Sequence, residues 1–339
     1  MSFSYSANCP ANEIRSFIEE WHSDALYFEA KTSGSTGQPK VIKIEKSYAR
    51  ASAIATVNFL QLKAGDKALM SLNPQTIGGK MMMVRALIAD LDLYCVNPSA
   101  NPFLELDQDF DFVSLAPIQL AASLDHNPDD LKNCKNIIVG GGVISTYYAH
   151  KLKEHQLTVY QTFGMTETLS HIALRKVGFE PDQTYHTLPG VTVSSDKNND
   201  TLIIHAPQIG QPELRTNDIV KIESSTSFDW IGRIDFTVNT GGIKVQIEKL
   251  EKLIAHKISL PFFIWKQPHL SLGEEIILII EGEIETEWLT KLFYDFLPRY
   301  HRPKKIGSTH LISRTPSDKI RRQPTFEQVI ATNGLLEIL

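Results

Sequence analysis

The chain has 339 residues, more than one hydrophobic core usually holds, so two domains are expected. Its 42% apolar and 22% charged residues are those of an ordinary soluble globular protein, and a formal net charge of −5 leaves no electrostatic footprint for a nucleic-acid partner. Cys9, Cys95 and Cys134 lie far apart with no Cys-x-x-Cys spacing, which argues against a disulfide framework or a thiolate metal site. The N-terminus lacks a basic stretch followed by an apolar run, and the densest apolar run covers only 276–280. Neither a signal peptide nor a membrane span is expected, and the protein reads as cytoplasmic. No coiled-coil pattern indicates an oligomeric state.

Residues 1–24 read as a helical lead-in with Ile14, Phe17, Ile18 and Trp21 on one face. Residues 25–30 are a short strand feeding the loop Lys31-Thr32-Ser33-Gly34-Ser35-Thr36-Gly37-Gln38-Pro39-Lys40, and 41–44 are the strand leaving it. Gly34 and Gly37 permit positive φ and close backbone approach, so their N–H groups can form an anion-binding nest. Ser33, Ser35 and Thr36 add hydroxyl donors, and Lys40 adds positive charge. The spacing is not that of a Walker P-loop, because Pro39 precedes the lysine and Val41 follows it. A flexible turn between two strands is the alternative.

From residue 67 the pattern alternates. Strands at 68–72, 91–96, 110–115, 136–139 and 157–160 are separated by helices at 78–89, 117–124 and 146–155. This predicts an α/β fold with a mostly parallel sheet covered by helices, whose ligands bind at the carboxyl ends of the strands. Two loops fall there: Gly140-Gly141-Gly142, and Thr162-Phe163-Gly164-Met165-Thr166-Glu167-Thr168. The second offers an aromatic face for a base, hydroxyls for phosphate, and Glu167 as a ligand for Mg²⁺. A turn capped by Thr166 and Glu167 is the alternative. After Ser170 the texture becomes β-rich, with strands at 172–177, 191–194, 201–205, 218–223 and 227–231. A smaller α+β unit follows Gly232-Arg233-Ile234-Asp235. The expected domains are 1–234 and 235–339.

Six segments in this order resemble the adenylate-forming superfamily of acyl-CoA synthetases, luciferases and peptide synthetases. The first loop matches its Thr-Ser-Gly-Ser-Thr-Gly-x-Pro-Lys pattern, and Phe163-Gly164-Met165-Thr166-Glu167 matches Tyr-Gly-x-Thr-Glu with phenylalanine for tyrosine. Thr216-Asn217-Asp218 resembles Thr-Gly-Asp, whose aspartate accepts from the ribose hydroxyls. Gly232-Arg233-Ile234-Asp235 resembles the Gly-Arg-x-Asp hinge, with Arg233 near ribose and phosphate and Asp235 as pivot. Gly241-Gly242-Ile243-Lys244 resembles the segment along the CoA pantetheine path. Pro316-Ser317-Asp318-Lys319-Ile320-Arg321-Arg322 resembles the C-terminal Pro-x4-Gly-Lys-x-x-Arg segment, with Asp318 for glycine and Lys319 as the adenylation lysine.

The resemblance implies a large nucleotide- and acyl-binding domain, a mobile C-terminal domain, and two-step chemistry. A small-molecule carboxylic acid, ATP and Mg²⁺ give an acyl-adenylate, and CoA then displaces AMP. Thr32, Ser33, Gly34, Ser35, Thr36, Gly37 and Lys40, with Thr166, Glu167 and Lys319, would align and neutralise the anions. Only 31 residues precede the first loop's hydroxyls, which implies a shortened frame suited to a compact acid. With Thr76, Gly78, Gly79, Lys80 and Arg85 at the acyl-pocket helix, the chain resembles the short o-succinylbenzoate–CoA ligases of menaquinone synthesis. Lys80 or Arg85 is expected to pair with a second substrate carboxylate, or else these cations face solvent or cap a neighbouring element. Ligation of another small aromatic or acyl acid to CoA, acyl transfer to a carrier protein, or a nucleotide- or partner-binding module without catalysis are the alternative functions.

Overall fold

The computed structural model describes residues 2–31, 41–104, 106–283, 285–315 and 320–338. The chain divides into two compact units. One comprises 1–194, 203–215 and 222–229; the other comprises 195–202, 216–221 and 230–339.

The first unit opens with strand β1 (Phe3–Tyr5), not with helix, before helix α1 (Ala11–His22). The local pattern of residues 3–5 is weak; parallel pairing of Tyr5 with Cys95 makes them a strand. α1 buries Ile14, Phe17 and Trp21, and the Phe17 ring meets Phe28 edge-on at 5.2 Å. The hairpin β2 (Tyr27–Lys31) and β3 (Val41–Glu45) pairs antiparallel, with Lys31 opposite Val41. Residues 32–40, the first candidate loop, lie outside the described residues.

Then follow α2 (Lys46–Leu60), β4 (Lys67–Met70), α3 (Ile77–Ala89), β5 (Asp92–Cys95), β6 (Phe110–Leu115), α4 (Pro117–His126), α5 (Asp129–Lys132), β7 (Cys134–Val139), α6 (Thr146–Glu154) and β8 (Thr158–Gly164). These give the helix-covered parallel sheet expected from the alternation. The order is β1-β5-β4-β6-β7-β8, parallel throughout. Strands β9 (His171–Gly178) and β10 (Tyr185–Thr187) extend it antiparallel.

The strand period of two explains the two cores. Ala68, Met70, Phe112 and Ile138 point to one face, packing with α1, α2 and the buried methionines of α3. Leu69, Val113, Ile137 and Val139 point to the other, packing with Leu120, Leu124 and Leu152. Met81, Met82 and Met83 are fully buried, each contributing roughly 1.5–3 kcal/mol of transfer free energy.

Strands β11 (Thr192–Ser195), β12 (Thr201–Ala206), β13 (Gln211–Ser224) and β14 (Ser227–Arg233) form the β-rich section, and the division between the units passes through them. β13 is longer than the 218–223 strand expected from sequence.

The second unit continues with β15 (Thr237–Thr240), β16 (Ile243–Gln246), α7 (Ile247–Ile254), β17 (Phe262–His269), β18 (Gly273–Glu281), α8 (Thr286–Phe296), β19 (Lys305–Thr309), α9 (Arg322–Thr332) and β20 (Leu336–Glu337). Its sheet runs β16-β15-β18-β19-β20, with β17 also paired to β18. The apolar run in β18 again splits by parity. Ile276, Leu278 and Ile280 pack with α7 and α8, while Ile277 and Ile279 pack with Val329 of α9. Among the described residues no helix is long and apolar enough to cross a membrane.

Candidate active site

The hairpin β2–β3 is tied to the segment that leads into α3. Lys31 N–H donates to the Gln75 carbonyl at 3.2 Å, and Lys31 Nζ reaches Gln75 Oε1 at 2.8 Å. Thr76, read from sequence as part of the acyl-pocket helix, is the N-cap of α3. Its hydroxyl donates to the Asn73 carbonyl at 2.7 Å and accepts from Gly79 N–H at 3.3 Å. Gly79 is obligatory, since a Cβ there would stand 2.1 Å from the Asn73 carbonyl oxygen; at Gly78 it would stand 3.3 Å from Leu72.

The next two candidate loops meet at the carboxyl ends of β7 and β8. A Cβ on Gly140 would lie 3.0 Å from Thr162 Oγ1, so the glycine lets this hydroxyl approach the backbone. Gly141 has φ of +85°, and Gly142 faces Pro117. Thr162, Phe163 and Gly164 lie within β8, not in a loop, because they pair with β9 through a register shift at Phe163 and Gly164. The Phe163 ring packs edge-on against Tyr185 at 5.6 Å and Phe228 at 5.2 Å.

A single 3₁₀ turn over Thr166–Thr168 follows. Thr168, which sequence reading passed over, is its clamp. The buried hydroxyl accepts from Met165 N–H at 2.9 Å and donates to the Ser170 carbonyl at 2.7 Å. Thr166 and Glu167 are thereby left exposed, and Gln211 Nε2 holds the Glu167 carbonyl at 2.9 Å. The Glu167 carboxylate has no protein partner among the described residues. No cluster of three or more metal-ligating side chains occurs among them either. One free carboxylate suits Mg²⁺, which is commonly shared between one or two carboxylates and phosphate oxygens.

Behind this turn lies a polar cluster absent from any motif. Arg85, on α3, is 2% exposed. Its Nη2 donates to Ser170 Oγ at 2.7 Å, and its Nε has no partner among the described residues. Burial lowers its pKa to about 10, and no carboxylate among the described residues pairs with it. His171 is buried beside it, with Nε2 3.1 Å from Thr56 Oγ1 and Nδ1 3.4 Å from Ser170 Oγ. Burial, and then the charge of Arg85, hold the imidazole well below its usual pKa, so it is neutral. Lys80 is occupied differently: its Nζ is 3.3 Å from Glu20 Oε2 and 4.5 Å over the Phe17 ring. Of the two cations proposed from sequence, Lys80 fastens α1, and Arg85 has no counter-ion among the described residues.

In the second unit Asp218 is buried, and its Oδ1 accepts from Trp230 Nε1 at 2.9 Å. Lys252 Nζ stands 4.9 Å over the Trp230 ring. Arg233 Nη2 pairs with Asp235 Oδ2 at 2.7 Å, and Asn217 Nδ2 approaches both Asp235 oxygens at 3.3 and 3.4 Å. Asn217, which stands at the glycine of the resembled motif, therefore has a partner of its own. Gly241 and Gly242, with φ of +58° and +81°, make the β15–β16 turn, and a Cβ on Gly241 would stand 2.7 Å from the Tyr300 ring. Lys244 is exposed on β16 opposite Asn239. Lys319, with 316–318, lies outside the described residues.

Known proteins resemble the chain along most of its length. Residues 7–202 match the model of the AMP-binding enzyme family. The chain is similar to the 2-succinylbenzoate–CoA ligase of Lactococcus lactis, at 24% identity over 93% of this chain and 73% of the relative. It is similar to the D-alanine–D-alanyl carrier protein ligase of Bacillus cytotoxicus at 22% identity, over 91% of this chain and 72% of that one. Among solved structures, an acyl-CoA synthetase (AMP-forming)/AMP-acid ligase II-like protein from Dyadobacter fermentans is 34% identical, covering 96% of this chain and 95% of its own, with a TM-score of 0.65. With a family model spanning more than half its length and a 34% identical relative covering nearly all of it, the chain belongs to the AMP-binding enzymes, the adenylate-forming acid–thiol ligases.

Proposed function

We propose that the protein joins o-succinylbenzoate to coenzyme A in menaquinone synthesis, by way of an acyl-adenylate. The observation that carries this choice of acid is Arg85. A buried guanidinium on the acyl-pocket helix, with a free Nε and no described counter-ion, suits a substrate that brings a second carboxylate. The 2-succinylbenzoate–CoA ligases among the relatives support the same acid.

In the first step the reacting carboxylate attacks the α-phosphorus of ATP, and pyrophosphate leaves. The segment from Thr32 to Gly37 with Lys40 holds phosphate oxygens, Thr166 donates to the α-phosphate, and Lys319 neutralises charge where the two anions meet. Glu167 is the residue that would hold Mg²⁺, which offsets the triphosphate charge. Asp218 accepts from the ribose hydroxyls, with Arg233 beside them. Gly140, Gly141 and Gly142 with Thr162 and Phe163 form the adenosine wall. In the second step the CoA sulfur attacks the acyl carbonyl, and the C–O bond to AMP breaks. Residues 235–339 turn about Asp235 between the steps, bringing Gly241, Gly242 and Lys244 to the pantetheine path.

The test is incubation with ATP, Mg²⁺, CoA and a panel of aromatic acids, followed by mass analysis of AMP and thioester. Thioester from o-succinylbenzoate supports the reading; thioester only from monocarboxylic acids removes it. A second reading, transfer to a carrier protein, is favoured by the similarity to the D-alanyl carrier protein ligase, and adenylate without CoA thioester would select it. Failure to release pyrophosphate with any acid would leave a nucleotide-binding module.

A further inference from the structure

Helix α7 carries two carboxylates one turn apart, Glu248 and Glu251, and each is committed to a different functional segment. Glu248 Oε2 accepts from the Arg233 backbone N–H at 2.7 Å. Gln246 Nε2 braces it from the side, donating to Glu248 Oε2 at 3.0 Å and to the Arg233 carbonyl at 2.8 Å. This approach needs Gly232: a Cβ there would stand 2.4 Å from Gln246 Nε2 and 2.6 Å from Glu248 Oε2.

Glu251 is bound by Arg322 through two parallel contacts, Nη1 to Oε1 and, at 2.9 Å, Nη2 to Oε2. The two side chains are 18% and 13% exposed. Glu251 Oε1 also accepts from Ile264 N–H at 2.7 Å. The guanidinium stands 5.0 Å over the Phe236 ring and 5.7 Å over Phe263. Arg322 immediately follows the segment that carries Lys319, and both flanks of that segment are fastened. Arg314 bridges Ile320, Arg321 N–H donates to the Ser313 carbonyl at 2.8 Å, and Thr325 Oγ1 ties Ser313 to Arg321.

We infer that Glu248 and Glu251 are positioning residues, and that during adenylation α7 is a bracket fastening the Arg233 backbone on one side and Arg322, which follows the Lys319 segment, on the other. An ion pair this enclosed adds little net stability over an apolar pair of the same shape, whereas its forked geometry fixes direction. The two rings under the guanidinium restrict it further. The inference rests on the roles proposed above for Arg233 and Lys319. It adds that the chain on either side is fastened to one helix, at Arg233 and at Arg322, so the two carboxylates affect different parameters of one half-reaction.

The experiment compares Glu251→Gln, Glu248→Ala and the charge swap Glu251→Arg with Arg322→Glu, all in the full chain. ATP–pyrophosphate exchange reads adenylation; thioester formation from a synthetic acyl-adenylate and CoA reads the second step. Glu251→Gln is expected to lower the exchange kcat at least ten-fold, with KM for ATP within two-fold and the thioester step reduced less than two-fold. Glu248→Ala is expected to raise KM for ATP instead, and the charge swap to restore most of the exchange lost in Glu251→Gln. Amide hydrogen exchange should quicken across 312–322 in the first variant and across 231–235 in the second, and in neither case across β18. Unchanged exchange kinetics, or an equal fall in both half-reactions, overturns the inference. If the wild-type chain makes no adenylate with any acid, the functional reading fails by itself. Hydrogen exchange then still decides whether the bracket exists, since unaltered protection in both variants refutes it.

Discussion

Ser170 Oγ lies 2.7 Å from Arg85 Nη2, and this is the hydrogen bond that the described residues give a guanidinium almost sealed from solvent. Burial lowers the Arg85 pKa only to about 10, so the group stays charged at neutral pH. A hydroxyl does not offset that charge. The arrangement costs stability and is retained at the helix expected to line the acyl pocket, which is the usual relation between a functional site and the fold that tolerates it.

Arg85→Met therefore separates stability from recognition. The variant is expected to keep or raise the thermal midpoint, with a gain of up to roughly 1–3 kcal/mol, because it removes an unpaired buried charge. KM for o-succinylbenzoate should rise about 100-fold, the equivalent of roughly 2.7 kcal/mol for a lost charge-assisted contact, while KM for ATP stays within two-fold. Calorimetry together with steady-state kinetics checks this; a large loss of stability with unchanged KM would make Arg85 purely structural.

His171 gives a pH dependence with a defined sign. Its folded pKa is held well below the usual 6.5, first by burial and then by Arg85. Below pH 6.5 the unfolded chain takes up a proton that the native state refuses. The stability is fully present above that pH and falls by about 1.4 kcal/mol per unit as the pH drops further. Thermal midpoints measured from pH 7.5 to 5 should show this slope in the wild type and a shallower one in His171→Asn. Parallel slopes would refute the assignment.

The turn that presents Thr166 and Glu167 depends on Gly164. A Cβ there would stand 2.4 Å from the Ser170 carbonyl oxygen and 2.6 Å from His171 Cα, both backbone atoms, the second at the start of β9. Gly164→Ala is expected to cost about 2–4 kcal/mol and to displace the turn. Denaturant unfolding measures the cost, and loss of pyrophosphate release reports the displacement.

Trp230 orients Asp218 through its indole N–H at 2.9 Å. Trp230→Phe keeps an aromatic ring under Lys252 and removes the donor. Its expected effect is a three- to ten-fold rise in KM for ATP, about 0.7–1.4 kcal/mol for one neutral-to-charged hydrogen bond, with kcat nearly unchanged. A deoxyribose analogue of ATP that ignores the mutation, while ATP itself suffers, would locate the effect at the ribose. Equal penalties for both would refute that location.

Thr76 serves α3 as a cap, so Thr76→Ala should lower stability by about 1 kcal/mol and Thr76→Ser by much less. Chemical denaturation of the three proteins decides between this role and one confined to the substrate. A Thr76→Ala variant of unchanged stability but altered acid preference would favour the latter.

The sequence by itself determined the elements whose cause is local. The strand at 110–115 follows from apolar residues that serve two faces alternately, and α1 follows from the spacing of Ile14, Phe17 and Trp21. Fixed spacings of glycine, hydroxyl and charge were enough to identify the family, because loops that grip phosphate need those residue types at those intervals. Tertiary structure decided whatever depends on residues distant in the chain. β1 exists only through its pairing with β5, and β8 reaches Gly164 only because β9 returns alongside it. Lys80 and Arg85 look alike in sequence, yet Glu20 takes one and leaves the other to a hydroxyl at position 170. Which charge is neutralised is set by what the fold brings within about 4 Å, where a desolvated charge is worth most, and no short window of sequence contains that distance.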